Sequence, residues 1–247
     1  NGTYAGTGFS PSPSSGQLNS LSWAVTGWSN GNLAFGGTQT TASTDYTRGV
    51  SAVAVSTGGM YSFNIGGNRA MGIQPGGSDW EPGTMTLKVQ NVTGVSATTL
   101  LISYKLLVRN DQDRSSSFNF SYSDDDVTYT PVSSLDLTSD AALDAAGWKT
   151  YIKVYTITLN LSNNGYYNFR WSGAAVGGSG SRDEFAIDDF NIIVNPTSSQ
   201  YPTFSGTCQD INSDANMGLS ADLTVNGTLT LTNGIINTAG HTLEIGT

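Results

Sequence analysis

The chain carries little charge and few of the residues that enzymes use for nucleophilic or metal chemistry. Among 247 residues, Lys and Arg together number 10, Asp and Glu number 19, and there is a single His and a single Cys. So few basic residues argue against a nucleic-acid surface, which needs clustered Lys and Arg to neutralise phosphates. Cys208 has no second cysteine with which to form an internal disulfide, and one His with one Cys falls short of a zinc site.

Long apolar segments are also missing. No apolar run approaches the ~18–20 residues that a membrane-spanning helix needs, so we expect no membrane insertion. The sequence opens at Asn1 without an initiator Met, a basic region or an apolar stretch, and we expect any signal peptide to be missing from it. Low charge combined with many Ser and Thr residues favours a secreted or cell-surface location.

What the sequence does contain is typical of β-structure. Glycine is abundant, with 30 residues, and Gly, Ser, Thr and Asn all rank low in helix propensity. The apolar run 100–108 predicts a central strand buried on both faces, and residues 118–122 alternate with strict period two before an Asp turn at 124–126. About eight to ten such segments, separated by turn residues, predict an all-β fold, a jelly-roll β-sandwich.

The sequence changes character towards its C-terminus. Residues 1–195 are predicted to form the sandwich, and 196–218 read as a linker because they are rich in Pro, Ser, Asn and Asp. Residues 219–247 repeat short apolar-Thr-apolar segments between Asn-Gly and Ala-Gly turns, which predicts the start of a β-repeat, solenoid-like domain. The alternative is a pair of plain hairpins that extend the sandwich. Since about three repeats are normally needed to bury their faces, we expect this chain to be the N-terminal part of a longer protein.

Several motifs resemble a known class of exported proteins. The run Gly-Ser-Gly-Ser-Arg-Asp-Glu-Phe-Ala-Ile-Asp-Asp-Phe at 178–190 resembles the closing strand of secreted jelly-roll domains, including MAM, laminin-G-like and carbohydrate-binding modules. Residues 68–72, 83–94 and 122–124, with the repeat at 223–245, are similar to cell-surface proteins of Bacteroidetes exported by the type IX secretion system. The resemblance implies fold and export and does not specify a ligand.

The resemblance also implies a structural calcium ion. Jelly rolls of this kind commonly hold calcium with an acidic pair near the last strand, which corresponds here to Asp188 and Asp189. Calcium takes about six to eight oxygen ligands, and Glu81 or Asp45 could complete the set. The rival explanation for an acidic pair in an otherwise apolar strand is a buried ion pair with an arginine, for which the candidates are Arg182, Arg69 and Arg48.

Tryptophans offer a second kind of site. Trp23 and Trp171 lie in strand-like segments and are expected in the core. Trp80 lies beside turn residues, so an exposed sugar-stacking platform formed by Trp80 with Asp79 and Glu81 is a further hypothesis.

Catalytic arrangements are less well supported. His241 lies between turn residues, and the carboxylates at 183–189 cluster on one segment instead of facing each other across a cleft. The leading hypothesis is a non-catalytic, secreted cell-surface module of an adhesin-like or filament-forming protein, which binds a glycan or protein partner or self-assembles. The alternative is a carbohydrate-binding module of a glycan-degrading enzyme. An enzyme in its own right would require an acidic cleft.

Overall fold

A computed structural model describes residues 4–246, and nearly all regular structure in this range is β. The only helical element among these residues is a short 3₁₀ turn at Ser133–Leu135. The strands, in chain order, are β1 Phe9–Ser10, β2 Leu18–Asn19, β3 Trp23–Thr26, β4 Val50–Ser51, β5 Gly59–Ile65, β6 Asn68–Gln74, β7 Gly83–Gln90, β8 Ala97–Arg109, β9 Arg114–Ser123, β10 Thr130–Pro131, β11 Leu137–Thr138, β12 Trp148–Leu161, β13 Tyr166–Gly173, β14 Ala175–Gly178, β15 Glu184–Val194, β16 Thr203–Cys208, β17 Asp210–Ser213, β18 Met217–Val225, β19 Leu229–Leu231, β20 Ile236–Asn237 and β21 Leu243–Ile245.

The described residues divide into two compact units. Unit 1 comprises residues 4–90, 108–148 and 166–186, and unit 2 comprises 91–107, 149–165 and 187–246. The unit boundaries fall inside strands β8, β12 and β15. Residues 1–3 and 247, which the predicted sandwich and repeat segments include at their ends, lie outside the described residues.

Unit 1 contains the sandwich. One sheet has the order β10-β9-β13-β7-β3 and is antiparallel throughout, with β11 and β14 also paired to β9. The other sheet includes β4, β5, β6 and the first residues of β15. The rings of Phe118 in β9 and Phe185 in β15 stack with centroids 5.2 Å apart, so the two sheets share one core. This arrangement confirms the predicted all-β sandwich class.

Aromatic side chains fill the unit 1 core because period two directs alternate residues of each strand inward. In β13, Tyr167, Phe169 and Trp171 are buried while Tyr166 and Arg170, on the other face, are not. Trp171 packs against Trp23 with ring centroids 6.4 Å apart, and both were expected in the core.

Unit 2 is dominated by parallel strands. Its first sheet has the order β15-β8-β12-β17-β19, in which β12–β17 and β17–β19 are parallel. In its second sheet, β18 pairs in parallel with β16, β20 and β21. Successive passes of the chain therefore lie side by side, with Ile211 opposite Leu229 and Leu223 opposite Leu243. Their apolar side chains form a separate core that includes Ile152, Ile211, Met217, Leu223 and Val225.

The predicted linker 196–218 needs correction. It contains β16 and β17, and their side chains Phe204, Cys208 and Ile211 are buried in the unit 2 core. The Pro- and Ser-rich composition concealed these short strands, because Phe204, Cys208 and Ile211 are three or four positions apart and form no regular alternation.

None of the helical structure among residues 4–246 is long and apolar enough to span a membrane.

Candidate functional site

Trp80 lies in the loop between β6 and β7, where the sequence suggested an exposed stacking platform. Its side chain is 0% exposed, and its ring packs against Trp28 and Phe118 with centroids 5.6 and 6.4 Å away. Gly83 closes another side, since a Cβ there would come within 2.3 Å of Trp80 Cδ2. Neither ring face is open to a sugar, which corrects the expectation: Trp80 is a core residue.

Asp79 and Asp45 hold the loop that contains Ser29 and Asn30. Asp79 Oδ1 accepts a hydrogen bond from the Ser29 amide at 2.7 Å. Asp45 Oδ2 accepts from the Asn30 amide at 2.9 Å and from Ser29 Oγ at 3.0 Å, while its Oδ1 pairs with Arg48 at 2.7 Å. Both carboxylates thus bind backbone or side-chain donors of unit 1, which fixes a loop that has little apolar content of its own.

Glu81 is the counter-ion of a buried arginine. Arg182 is 1% exposed, and its Nη1 lies 2.9 Å from Glu81 Oε2 and 3.0 Å from the Trp80 carbonyl oxygen. Its Nε donates to Ser116 Oγ at 2.8 Å. Burial lowers the pKa of Arg182 to about 10, against the opposing effect of the Glu81 charge. Arg182, one of the arginine candidates for the pair Asp188 and Asp189, thus has Glu81 as an ion-pair partner.

The adjacent Asp188 and Asp189 have different environments. Asp188 is buried, whereas Asp189 is exposed and forms an ion pair with Lys105 at 2.8 Å. Within residues 4–246, no three or more His, Cys, Asp or Glu side chains are grouped so that they could hold a metal ion. Glu81 pairs with Arg182 and Asp189 with Lys105, and the structural calcium ion expected at Asp188, Asp189 and Glu81 stays a prediction.

The preceding acidic pair, Asp183 and Glu184, is fully buried in unit 1. Asp183 Oδ1 accepts from the Gln112 amide at 3.2 Å, and Glu184 Oε1 accepts from the Val55 amide at 2.8 Å. The second oxygen of each carboxyl has no hydrogen-bond partner among the described residues. Burial, with nearby negative charge including that of Asp111, raises the pKa of Asp183 to about 6 and that of Glu184 to about 8. At neutral pH Glu184 therefore favours the protonated form in the folded chain, whereas Asp183 becomes mainly protonated only below about pH 6.

A feature not identified from the sequence is the outer surface of the β10-β9-β13-β7-β3 sheet, which we call the polar face. Its side chains alternate with the buried core residues of the same strands and are mainly hydroxyls, amides and cations. Those that define it are Thr26, Thr84, Thr86, Lys88, Asn119, Ser121, Tyr166, Asn168, Arg170 and Ser172, of which Thr86 and Asn168 are buried and the others at least partly exposed. The period-two pattern at 166–173 was the available signal, since every second residue there is aromatic and the intervening ones include Arg and Ser.

Aromatic rings and cations meet on the polar face. Lys88 Nζ lies 4.0 Å from the ring centroid of Phe35 and 5.6 Å from that of Tyr166, whose residue is 52% exposed. Arg170 stacks its guanidinium 3.5 Å from the centroid of the Tyr129 ring. Each ring is thus held beside a fixed positive charge by a cation–π contact.

Hydrogen bonds order the polar groups between those rings. Arg170 Nε donates to Thr86 Oγ1 at 2.9 Å, and its Nη2 lies 3.3 Å from Asp126 Oδ1. The hydroxyls of Thr26 and Thr84 lie 2.7 Å apart. Because these groups project from paired strands, they are positioned by the sheet, so the face offers a preordered set of donors and acceptors.

Comparisons with known proteins give no family and only distant structural likenesses. No protein-family model and no curated protein matches the sequence. The chain is similar to a solved carbohydrate-binding module specific for non-crystalline cellulose, CBM28, with a TM-score of 0.38 and 10% identity over 54% of this chain and 80% of that one. It is also similar to TmCBM61, solved in complex with β-1,4-galactotriose, with a TM-score of 0.31 and 16% identity over 53% and 75% of the two chains. An exo-β-agarase shows a TM-score of 0.33 and 10% identity over 57% of this chain and 22% of its own. The sandwich assignment for this chain rests on the strand pairing and ring contacts described above.

Proposed function

We propose that this protein is a non-catalytic carbohydrate-binding module that binds an oligosaccharide across the polar face of unit 1. The observation that carries the proposal is Tyr166, a half-exposed aromatic ring that stands beside Lys88 on a sheet surface otherwise made of hydroxyls, amides and cations. An aromatic ring offers an apolar surface to the C–H face of a sugar, and the surrounding donors and acceptors match its hydroxyls.

The layout of the face suits a chain of sugars better than a single one. Tyr166 and Arg170 are four residues apart in β13, which places them about 13 Å apart along the strand at ~3.3 Å per residue. Tyr129 covers Arg170 at one end, and Phe35 lies with Lys88 near the other. A ligand that contacts both ends must therefore be longer than one sugar ring.

Preorganisation supports binding without chemistry. Arg170 is fixed by Thr86, Asp126 and the Tyr129 ring, so little side-chain freedom would be lost when a ligand binds.

Affinity gel electrophoresis against a panel of soluble polysaccharides, followed by calorimetry with the best oligosaccharide, tests this function. Tyr166→Ala should weaken binding by at least about tenfold, while Tyr166→Phe, which keeps the ring, should bind like the wild type. Val176→Ala removes an exposed apolar side chain elsewhere in unit 1 and is the matched control. Retention of full affinity by Tyr166→Ala would refute the polar face as the binding surface.

The adhesin or filament interpretation remains as a second candidate, and the parallel strands of unit 2 favour it. Parallel passes that stack side by side are the arrangement from which elongated solenoid stalks are built. Ile235 and Ile245 in this region are exposed, which gives self-association an apolar surface. Sedimentation velocity over about a hundredfold range of concentration tests it: growing assemblies that Ile235→Ser abolishes would support a filament, and a monomer throughout would refute self-assembly.

Secretion to the cell surface is part of both proposals. A glycan-binding module or stalk meets its partner outside the cell, and the low charge and the type IX resemblance are the basis for this location. Detection of the native protein on intact cells with an antibody would test it.

A further inference from the structure

A polar cavity lies within unit 2. It has a volume of about 330 Å³, near the lower end of the ~300–1,000 Å³ typical of small-ligand pockets. Ser103 and Lys105 of β8 line it together with Asp189 and Asn191 of β15 and the side chain of Tyr201. β8 and β15 are neighbours in one sheet, and the Lys105–Asp189 ion pair shows that the residues from the two strands meet on the same face.

An exposed ion pair forms the polar end of this cavity. Lys105 Nζ and Asp189 Oδ2 lie 2.8 Å apart, with side-chain exposures of 30% and 55%. Asp189 has a φ of 51°, a left-handed conformation that is uncommon for residues other than glycine and that interrupts the regular geometry of β15. The backbone at this point thus departs from strand geometry at the residue that presents the carboxylate to the cavity.

Tyr201 forms an aromatic wall, and its position is fixed from two sides. Gly218 lies against one side of the ring, since a Cβ there would come within 2.7 Å of Tyr201 Cε2. The Asn237 amide donates a hydrogen bond to the Tyr201 hydroxyl. The ring also packs on the unit 2 core, so it cannot turn freely and keeps a constant orientation towards the cavity.

We infer that this cavity is a second ligand site, which takes a single uncharged sugar residue. The Lys105–Asp189 pair has no net charge and offers a donor directly beside an acceptor. Two neighbouring hydroxyls of a sugar match this pair, because each hydroxyl can both donate and accept. The Tyr201 ring can cover one face of the sugar, and the Asn191 amide adds one more donor and acceptor.

The inference does not depend on the polar face. All the residues that carry it belong to unit 2, whereas the residues of the polar face belong to unit 1. The ligand class also differs, since this cavity suits one sugar ring and the polar face suits an extended oligosaccharide.

Titration of the full chain with methyl glycosides of glucose, galactose, mannose and xylose, followed by ¹H–¹⁵N NMR, tests the site. At least one glycoside should shift the amide resonances around Lys105 and Asp189. Asp189→Asn and Lys105→Met should each weaken that binding by at least about tenfold. Asp189 is exposed and Lys105 is partly exposed, so the folded spectrum should otherwise be retained.

Two further variants separate the possible outcomes. Gly218→Ala displaces the Tyr201 ring and should also weaken binding, whereas Tyr166→Ala, on the polar face, should leave it unchanged. Binding lost in Tyr166→Ala but kept in Asp189→Asn would place the sugar on the polar face and overturn the inference. The absence of any resonance shift with all four glycosides would also overturn the inference. Shifts at Lys105 and Asp189 with glycine alone would overturn it as well, because they would indicate a site for a zwitterion.

Discussion

Replacement of Glu184 by Gln should make the chain more stable at alkaline pH and leave it unchanged at acidic pH. Glu184 is 0% exposed, only one of its carboxyl oxygens has a hydrogen-bond donor, and its pKa is raised to about 8, first by burial and then by the Asp111 charge. Gln has the shape of the protonated carboxyl and can still accept from the Val55 amide. The variant therefore mimics the form that the folded chain prefers.

The size of the effect follows from proton linkage. An unfolded Glu has a pKa near 4.5, so between pH 4.5 and about 8 the folded state binds more protons than the unfolded state. The free energy of unfolding of the wild type must then fall as the pH rises through this window. At 1.36 kcal/mol per pH unit the full difference is about 5 kcal/mol, and relaxation around the charged carboxylate reduces it to about 2–5 kcal/mol. Below pH 4.5 the carboxyl is protonated in both states, and the advantage of Gln disappears.

Tryptophan fluorescence is a suitable probe of this prediction. All five tryptophans, at positions 23, 28, 80, 148 and 171, lie in unit 1 together with Glu184. Urea unfolding at pH 4.5, 6, 7.5 and 9 would therefore report the unit that the substitution affects. Asp183, whose pKa is also raised, contributes equally to wild type and variant, so the difference between them isolates Glu184.

The control is Glu244→Gln, which changes an exposed carboxylate of unit 2 and should leave the fluorescence transition unchanged. Parallel curves for the wild type and Glu184→Gln from pH 4.5 to 9 would show that Glu184 is charged in the folded chain at neutral pH. The account of its burial given above would then be refuted.

Three further predictions concern other charged or reactive groups. Glu81→Gln should lower the free energy of unfolding by about 2–3 kcal/mol in the same fluorescence assay, because it leaves the buried Arg182 without a counter-ion. Asp189→Asn should lower it by at most about 1 kcal/mol, because this ion pair is more exposed. Equal losses in the two variants would contradict the prediction. Cys208 is buried and its pKa is raised to about 11, so at pH 8 only about one thiol in a thousand is ionised. A disulfide reagent should therefore label Cys208 only after urea unfolds unit 2. Labelling within seconds in native buffer would contradict this prediction. The thermal midpoint of unfolding should be the same in calcium and in chelator, since Glu81 and Asp189 already pair with protein cations. If the chain does bind calcium, a hundredfold excess of the ion over its Kd would add about 2.7 kcal/mol to the free energy of unfolding. That result would support the calcium hypothesis, with Asp188 as a ligand.

The strand pattern was readable from the sequence because it depends on neighbouring residues. The apolar run 100–108 lies in β8, which is buried over most of its length, and the alternating segment 118–122 lies in β9. Period two also assigned Trp23 and Trp171 to the core. In β9 and around the two tryptophans the side-chain alternation determines which face is buried, and in β8 the continuous apolar run indicates burial on both faces.

Long-range partners could not be read in the same way. Trp80 lies among turn residues, and no neighbouring residue in the sequence shows that Trp28 and Phe118 pack against its ring or that Gly83 approaches it closely. Glu81 and Arg182 are distant in sequence, and their pairing depends on how the β6–β7 loop meets the residues before β15. Glu81 and Arg182 were each candidates from the sequence, but the pattern of neighbouring residues does not show that the two form an ion pair.

The scarcity of charge makes each cation of this chain informative about function. In a protein with many surface lysines, one cation beside a ring is unremarkable, but here Lys and Arg together number only 10. Arg182 is used inside the fold, where it neutralises Glu81. Lys88, Arg170 and Lys105 instead stand on sheet surfaces, the first two against aromatic rings and the third at a cavity that has an aromatic wall. A stable core requires none of these three placements, because each cation lies outside it. Their common combination of a fixed cation, an aromatic ring and neighbouring hydroxyl or amide groups offers both polar and apolar contacts to the uncharged, polyhydroxylated ligands proposed for the two sites.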